Sequence, residues 1–173
     1  DSATVACLCA RALGRESVLA LVMPEGAGPD ADDARRAASD LGLRTEVVDI
    51  TPQLQALGAY DAPLYRLPPA MRNLVVKVAY RHLWARWGVS PFLRAAERPG
   101  AGIVARAAAC FRARHRVRLV TAAFRAEQEN LLLVGSANRT ETLTGIFCKF
   151  GIDHCADIMP LATLYRREVL RLA

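Results

Sequence analysis

Two features of the sequence predict an α/β fold with a parallel sheet. Helical and strand-like patterns alternate over the first fifty residues, which is the order typical of parallel sheets. The strand candidates are short, continuous apolar runs, which suit strands that are covered on both faces. The length of 173 residues is that of one domain large enough to bury a core.

The first half of the chain contains the clearest elements. Small and apolar residues over 3–13 form a helical pattern that Gly14 ends as a C-cap. The next predicted elements are a strand over residues 18–23, a helix over 30–42 with Asp30 as its N-cap, and a strand over 45–50. A helix between two strands leaves room for the crossover that a parallel pair needs.

The second half is less regular. Prolines and glycines interrupt residues 51–100, which carry no recognisable motif. The predicted elements are helices over 71–87, 102–129, 138–144 and 165–172, with a third buried strand over 131–134. No internal repeat or low-complexity tract is present.

The positive charge is concentrated in the middle of the chain. The formal net charge is +6, but residues 65–129 carry 13 basic and three acidic side chains, whereas residues 1–64 carry five and ten. Such a basic segment raises the possibility of nucleic-acid binding. The segment lacks the interleaved aromatic residues typical of RNA-binding modules, which argues against that function.

Cysteine spacing and hydropathy exclude other classes. The five cysteines are an odd number without a paired CxxC spacing, so the sequence predicts thiols in a reducing compartment and no structural zinc site. No apolar run approaches the ~18 residues that span a bilayer. We therefore expect no membrane association.

The loop after the third predicted strand has the residue types of a ligand site. GSANRTE, residues 135–141, follows the carboxyl end of the apolar run, where parallel α/β sheets bind ligands. It offers a glycine, the Ser136 hydroxyl, Asn138 and the Glu141 carboxylate, which suit phosphate and Mg²⁺. The same residues also fit a polar turn that leads into a capped helix, so this loop alone decides nothing.

Several motifs in one order carry a resemblance to a known family. Residues 130–173 contain GSANRTE (135–141), GIFCKFG (145–151), ADIMPL (156–161) and LYRREVLRLA (164–173). This series resembles the NAD synthetase family, which belongs to the N-type ATP pyrophosphatases and has GTxNxSE, GxFTKYG, ADxxPI and LYKTxVxxLA in those places. VLALVMPEG (18–26) and VVDITP (47–52) also match, and Asp1-Ser2 looks like the end of the family's SGGxDS phosphate loop.

The resemblance implies a fold and an arrangement of the chain. It implies a three-layer α/β/α parallel sheet of the adenine-nucleotide α-hydrolase (Rossmann-like) type, with the first strand absent from this chain. Residues 1–173 would form a partial NAD synthetase domain, in which 53–115 is a weakly matching, insertion-like region. Because neighbours of a missing central strand keep unpaired backbone groups, we expect the 173 residues alone to be unstable and inactive.

The resemblance also implies an activity. Family members use ATP to convert the carboxylate of nicotinic acid adenine dinucleotide (deamido-NAD) to an acyl-adenylate, which ammonia attacks to give NAD⁺ and AMP. We therefore expect ATP and Mg²⁺ as cofactors, deamido-NAD and ammonia as substrates, and a cytoplasmic homodimer. A glutaminase domain or subunit that supplies ammonia would lie outside this chain.

Named residues take roles through this resemblance. Asp1 and Glu141 match the carboxylates that hold Mg²⁺. Asp1, Ser2, Ser136 and Arg166 match ATP-binding positions, and Arg166 replaces a usual Lys. Arg116, Lys149 and Asp157 match positions that bind deamido-NAD. With Asp1 and Glu141, Lys149 completes the expected catalytic set.

This sequence departs from the family pattern in one loop. GIDHCAD (151–157) is one residue longer than the family's GDGxAD, and Asp153 is out of register with its aspartate. Three alternatives stay open at this point: another ATP pyrophosphatase of the amidotransferase or tRNA-thiolating type, a degenerate family member, and a basic nucleic-acid-binding protein.

Overall fold

The structure is a computed structural model that describes residues 1–26, 29–61, 63–88 and 103–173. In chain order its elements are α1 (Ser2–Leu13), β1 (Leu19–Val22), α2 (Pro29–Asp40), β2 (Arg44–Val47), α3 (Thr51–Ala56), α4 (Pro69–Trp87), α5 (Ile103–Glu129), α6 (Arg139–Thr144) and α7 (Arg166–Leu172). Short 3-10 helices lie at Arg15–Ser17 and Pro63–Arg66. The predicted helices and the first two predicted strands are thus confirmed, with bounds shifted by a few residues.

The chain forms two compact units. The first contains Asp1–Gln53 and Arg114–Ala173, and the second contains Leu54–Ala113. The second unit covers nearly the same residues as the weakly matching segment 53–115. All residues with a predicted site role belong to the first unit. Within the described residues, no helix is both long enough and apolar enough to cross a membrane.

The two strands pair in parallel, as predicted. Leu19 lies opposite Arg44 and Val22 lies opposite Val47. The pairing continues past the strands, where Val48 N donates to Val22 O at 2.9 Å and Ile50 N donates to Pro24 O at 3.0 Å. Helix α2 supplies the crossover that a parallel pair requires.

The prediction of a buried strand over 131–134 is wrong. Within the described residues this segment forms a single parallel bridge, between Val134 and Ile158. Leu133 forms two hydrogen bonds with Asp157. Leu133 N donates to the Asp157 side chain at 2.8 Å, and Asp157 N donates to Leu133 O at 2.9 Å. Because the Asp157 carboxylate takes the place of a backbone acceptor, the single bridge does not extend into a ladder of backbone hydrogen bonds among the described residues. Leu132 stays 66% exposed.

Helix α1 and helix α7 share a core. Val5, Leu161 and Val169 are buried together, with Leu8, Cys9, Val134 and Leu164 packed against them. Burial raises the pKa of the Cys9 thiol, so this side chain acts as a small apolar group. All five cysteines lie in the described part of the chain, and no disulfide forms there. This core holds the start of the chain next to its C-terminal segment.

Helix α5 contacts the sheet through one face of arginines. Arg114, Arg118 and Arg125 lie at spacings of four and seven residues, which places them on the same side of a helix. Arg118 Nε donates to Met23 O at 3.3 Å, and Arg125 Nε donates to Glu46 Oε2 at 2.7 Å. Arg114 pairs with both carboxylate oxygens of Glu25, at 2.5 and 2.9 Å. Three arginines of the basic middle segment thus bind groups in or just after the two strands. Two of them pair with carboxylates, and one donates to a backbone carbonyl.

Asp49 joins the ends of both strands. Its Oδ1 accepts from Thr51 N at 2.8 Å, from Thr51 Oγ1 at 2.5 Å and from Gly26 N at 3.3 Å. The hydrogen bonds from the Thr51 hydroxyl and the Thr51 amide hold the pKa of Asp49 below its ordinary value, because they favour the charged form.

This pKa shift predicts a pH dependence of stability. Because the folded pKa of Asp49 is lowered, its stabilisation is present above the unfolded pKa of about 3.9 and is lost as pH falls through the folded value. The difference in melting temperature between the wild type and Asp49→Asn should therefore shrink over that window. Thermal unfolding of the full-length protein at several pH values measures it, with Asp33→Asn, another exposed aspartate, as the control. A difference that stays constant down to pH 2 contradicts the assignment.

Candidate active site

The candidate site begins at one buried side-chain amide. Asn138 is fully buried, and its Nδ2 donates to Asp1 Oδ2 at 3.0 Å. Its Oδ1 accepts from Glu141 N at 3.1 Å, while its own N–H donates to Glu141 Oε2 at 2.9 Å. This reciprocal pair is a capping box that starts α6. One residue therefore contacts both acidic residues that were predicted to hold Mg²⁺.

The two carboxylates fit a magnesium ion that is shared with a phosphate ligand. Within the described residues, no protein donor contacts Asp1 Oδ1 or Glu141 Oε1. In the same residues, no group of three or more His, Cys, Asp or Glu side chains is placed to hold a metal. Mg²⁺ is typically bound by one or two carboxylates, with waters and substrate phosphates as the remaining ligands. Asp1 and Glu141 supply that number.

The loop between Val134 and α6 is shaped by packing. A Cβ at Gly135 would lie 2.8 Å from Ala156 Cβ and 3.1 Å from Met159 Cγ. Gly135 N donates to Ile158 O at 2.8 Å, which brings the two segments together. The glycine is therefore explained by the close packing of the 156–159 segment against it. Ser136, half-buried, is the next residue of this loop.

Arg166 and Ser2 lie on helices that adjoin this loop. Arg166 N donates to Thr140 Oγ1 at 3.0 Å, and Arg139 N donates to Leu164 O at 2.8 Å. These two hydrogen bonds join the start of α7 to the start of α6. The Arg166 side chain is exposed. Ser2 is exposed in the first turn of α1, next to Asp1. The structure thus brings Asp1, Glu141 and the backbone of Arg166 to one region.

Arg116 and Lys149 form a second group. Arg116 Nη2 donates to Lys149 O at 3.4 Å, and both side chains are exposed. The ammonium of Lys149 lies 5.1 Å from the centroid of the Phe150 ring, at cation–π distance. Two of the three residues predicted to bind deamido-NAD are thus neighbours, although 33 residues separate them in the chain.

The third predicted substrate residue, Asp157, has a structural contact. Its Oδ2 accepts from Leu133 N, so one carboxylate oxygen holds the segment before the Gly135 loop. The side chain is exposed, which leaves its other oxygen accessible. Within the described residues, no hydrogen bond joins Asp157 to Arg116 or Lys149.

The longer loop of this sequence is held by helix α5. Ile152 N donates to His115 O at 3.3 Å, and His115 Nδ1 lies 2.9 Å from Asp153 Oδ2. A Cβ at Gly151 would meet His115 Cβ at 2.9 Å and Cys148 Cβ at 3.0 Å, so only glycine permits this approach. Asp153, which is out of register with the family pattern, therefore binds the residue adjacent to Arg116.

Comparison with known proteins decides the family. A sequence profile described as NAD synthase matches residues 1–73 and 95–173. The chain belongs to the NAD synthase family. The NH₃-dependent NAD⁺ synthetases of Thermotoga neapolitana and Thermotoga maritima are 36% and 35% identical to it. Each alignment covers the whole of this chain but 59% and 61% of the relative, so the chain spans about three fifths of their length.

Solved structures agree on the NAD synthase fold. The NH₃-dependent NAD synthetase from Campylobacter jejuni matches 99% of this chain and 57% of its own, with a TM-score of 0.68 and 24% identity. A glutamine-dependent NAD⁺ synthetase from Acinetobacter baumannii, in complex with ADP, has a TM-score of 0.67 at 17% identity, over 99% of this chain and 26% of its own. An NMN synthetase from Francisella tularensis has a TM-score of 0.65 at 22% identity, over 99% and 55%. The Rossmann-like α/β fold predicted from the family motifs is thereby confirmed.

Sequence reasoning missed the residues that hold this candidate site together. Asn138 appeared only as one polar residue of the loop, although Asn followed three residues later by Glu is the spacing of a capping box. His115 had no signal, because its contacts with Ile152 and Asp153 join segments far apart in the chain. Asp153 looked like an unmatched insertion residue.

The contact between His115 and Asp153 predicts a local effect on the loop. We expect Asp153→Ala to accelerate amide hydrogen exchange across residues 150–154 while α1 keeps its protection, because the contact with His115 acts on this loop. The global loss of stability should be about 1 kcal/mol or below, because both side chains keep part of their solvent contact. Hydrogen-exchange mass spectrometry of the full-length protein measures both, with Asp33→Ala on the exposed surface of α2 as a control. Unchanged exchange in the loop would show that the pair does not hold it.

Proposed function

We propose that the protein catalyses the ATP-dependent amidation of deamido-NAD to NAD⁺. The observation that carries this proposal is the contact of one buried asparagine with both Asp1 and Glu141. Such a paired acidic site suits the binding of ATP phosphates through a shared cation. The names of the curated relatives, NH₃-dependent NAD⁺ synthetases, give the reaction.

The reaction needs an activated carboxylate. An oxygen of the deamido-NAD carboxylate attacks the α-phosphorus of ATP, and the bond to pyrophosphate breaks. Ammonia then attacks the acyl carbon, loses a proton and expels AMP, which leaves the amide. Negative charge builds on phosphate oxygens in the first step, so preorganised positive groups should provide most of the stabilisation.

The acidic pair and its neighbours would bind ATP. Asp1 and Glu141 would hold Mg²⁺, which, when bound, offsets the charge of the ATP phosphates. Ser2 and Ser136 would donate hydroxyl hydrogen bonds to ATP, and Arg166 would contact it with its guanidinium. The backbone bond from Arg166 to Thr140, in the same helix as Glu141, supports this grouping.

The basic pair would bind the dinucleotide. Arg116 and Lys149 are adjacent and exposed, and together they suit the pyrophosphate and carboxylate groups of deamido-NAD. Lys149 would also stabilise charge during acyl transfer, as the family motif implies. The accessible oxygen of Asp157 would accept from a donor of the substrate.

Ammonia is the proposed nitrogen donor, and the cytoplasm is the proposed compartment. The relatives with the highest identity quoted above are NH₃-dependent, whereas one structural neighbour is glutamine-dependent. A glutaminase domain or subunit, where one is used, would be supplied from outside this chain. A reducing compartment suits five cysteines that form no disulfide in the described residues.

A pyrophosphate-release assay on the full-length protein tests the activity. We expect Mg²⁺-dependent release with ATP, ammonia and deamido-NAD, and little with xanthosine monophosphate. Nicotinic acid mononucleotide is offered as well, since one structural neighbour is an NMN synthetase. Glu141→Gln keeps an acceptor for the capping box but removes the charge, and it should lower turnover on the order of 10²-fold.

The matched control is Glu168→Gln. Glu168 occupies the same capping-box position in α7, where its Oε2 accepts from Tyr165 N at 2.7 Å. It has no proposed role in ATP binding, so its variant should keep most of the activity. Wild-type release with xanthosine monophosphate alone would redirect the assignment to another ATP pyrophosphatase. Equal activity in wild type and Glu141→Gln would refute the magnesium role.

The second unit supports a homodimer. Helix α4 exposes apolar side chains along most of its length, between 39% and 61% of each, at Met71, Leu74, Val75, Val76, Val78, Tyr80 and Trp84. Exposed apolar side chains gathered on one helix in this number are typical of an interface. We propose a second copy of the chain as its partner, in line with the family expectation.

Charge on this helix should separate the subunits. Met71, Leu74 and Val78 lie at spacings of three and four residues, so they share one face of α4. Glutamates at two of these positions, in the double variant Leu74→Glu/Val78→Glu, would have to be desolvated in an interface, and we expect a monomer by analytical ultracentrifugation. Leu57→Glu, at an exposed leucine outside α4, should leave the wild-type mass unchanged. A double variant that sediments as a dimer excludes this surface.

A further inference from the structure

We propose that Asn138 is a positioning residue that sets the relative placement of the Asp1 and Glu141 carboxylates. This role rests on the proposed function, in which those carboxylates hold Mg²⁺. It extends that function, because Asn138 would touch neither the metal nor the substrates. The evidence is that both the nitrogen and the oxygen of its buried side-chain amide form hydrogen bonds within the protein.

The two ends of the Asn138 amide have different partners. The NH₂ end donates to Asp1 Oδ2, and the carbonyl end accepts from Glu141 N. A side-chain amide supplies both the donor and the acceptor that these two positions use. An aspartate there would keep the acceptor but would place an oxygen against the Asp1 carboxylate. A serine would keep a capping acceptor but would be too short to reach both.

The backbone of Asn138 is also held in place. Its N–H donates to Glu141 Oε2, and its C=O accepts from Thr142 N at 3.2 Å and from Thr142 Oγ1 at 3.3 Å. The side chain has no exposed surface, so its rotamer cannot change without breaking buried bonds. Asn138 is therefore a rigid link between α6 and the residue that precedes α1.

The link also orients each carboxylate. Asn138 occupies Oδ2 of Asp1 and Oε2 of Glu141, which directs the remaining oxygen of each group away from the amide. Holding one oxygen of each carboxylate limits the ways in which the other oxygen can be presented to Mg²⁺, an ion that demands a near-ideal arrangement of its ligands. Residues that orient ligands in this manner change metal affinity by 10–100-fold when they are mutated.

Two substitutions separate this role from helix capping. Asn138→Asp retains a good N-cap but loses the donor to Asp1. Asn138→Ser also retains an N-cap acceptor, but its shorter side chain does not reach Asp1. In the full-length protein we expect either variant to weaken the binding of Mn²⁺ with ATP by 10–100-fold, measured by electron paramagnetic resonance with Mn²⁺ as the probe. Glu168→Gln is the control, since it alters the corresponding capping contact in α7, to Tyr165 N, and leaves Asn138 untouched.

A measurement without metal or nucleotide tests the contact itself. The side-chain ¹⁵N–¹H₂ resonances of Asn138 should shift in Asp1→Asn, because the amide then loses its charged acceptor, whereas they should stay in place in Glu168→Gln. An unshifted amide signal overturns the contact between Asn138 and Asp1.

The outcomes distinguish this role from the proposed function. A wild type that neither binds Mn²⁺ with ATP nor releases pyrophosphate refutes the proposed function and, with it, this role. A wild type that binds, together with folded Asn138 variants that bind equally well, overturns the positioning role alone. If Asn138→Asp does not fold, the affinity of Asn138→Ser decides; if neither folds, the Asn138 amide shift in Asp1→Asn decides.

Discussion

The buried amide of Asn138 is the contact through which the two ends of the chain share one site. It joins Asp1, ahead of the first helix, to Glu141, 140 residues later, while the core of Val5, Leu161 and Val169 packs the same two segments together. A buried polar group of this kind is stable only when each donor and acceptor has a partner. The polar link therefore depends on the apolar core, because loosening the core would leave the Asn138 amide without its buried partners.

The long helix α5 accounts for three of the arginines in the basic middle segment. Its residues Arg114, Arg118 and Arg125 meet a carboxylate, a carbonyl and another carboxylate of the β1–β2 region. Within the first unit, acidic side chains of the β1–β2 region are thus matched by arginines from the second half of α5. On the same helix, His115 and Arg116 face the loop that carries Lys149, so one element contacts both the sheet and the proposed dinucleotide site.

Local patterns predicted the parts of the fold that depend on neighbouring residues. Apolar periodicity located the helices, and a strand–helix–strand order predicted the parallel pairing of β1 and β2. The same patterns wrongly predicted a strand over residues 131–134. A run of four apolar residues matches a buried strand whether or not a partner strand lies beside it. The partner is a matter of tertiary structure: Asp157 supplies a side-chain acceptor where a strand would supply a backbone carbonyl.

The sequence by itself determined the family, the order of helices and strands, and the residues to be examined, because motifs and helical periods are written in nearby positions. Only the tertiary structure decided how those residues are linked: Asn138 with Asp1, Arg116 with Lys149, and His115 with Asp153. These contacts join residues 33 to 137 positions apart. Contacts of such range leave no periodic trace in a single sequence, since they arise from how packed elements bring distant side chains together.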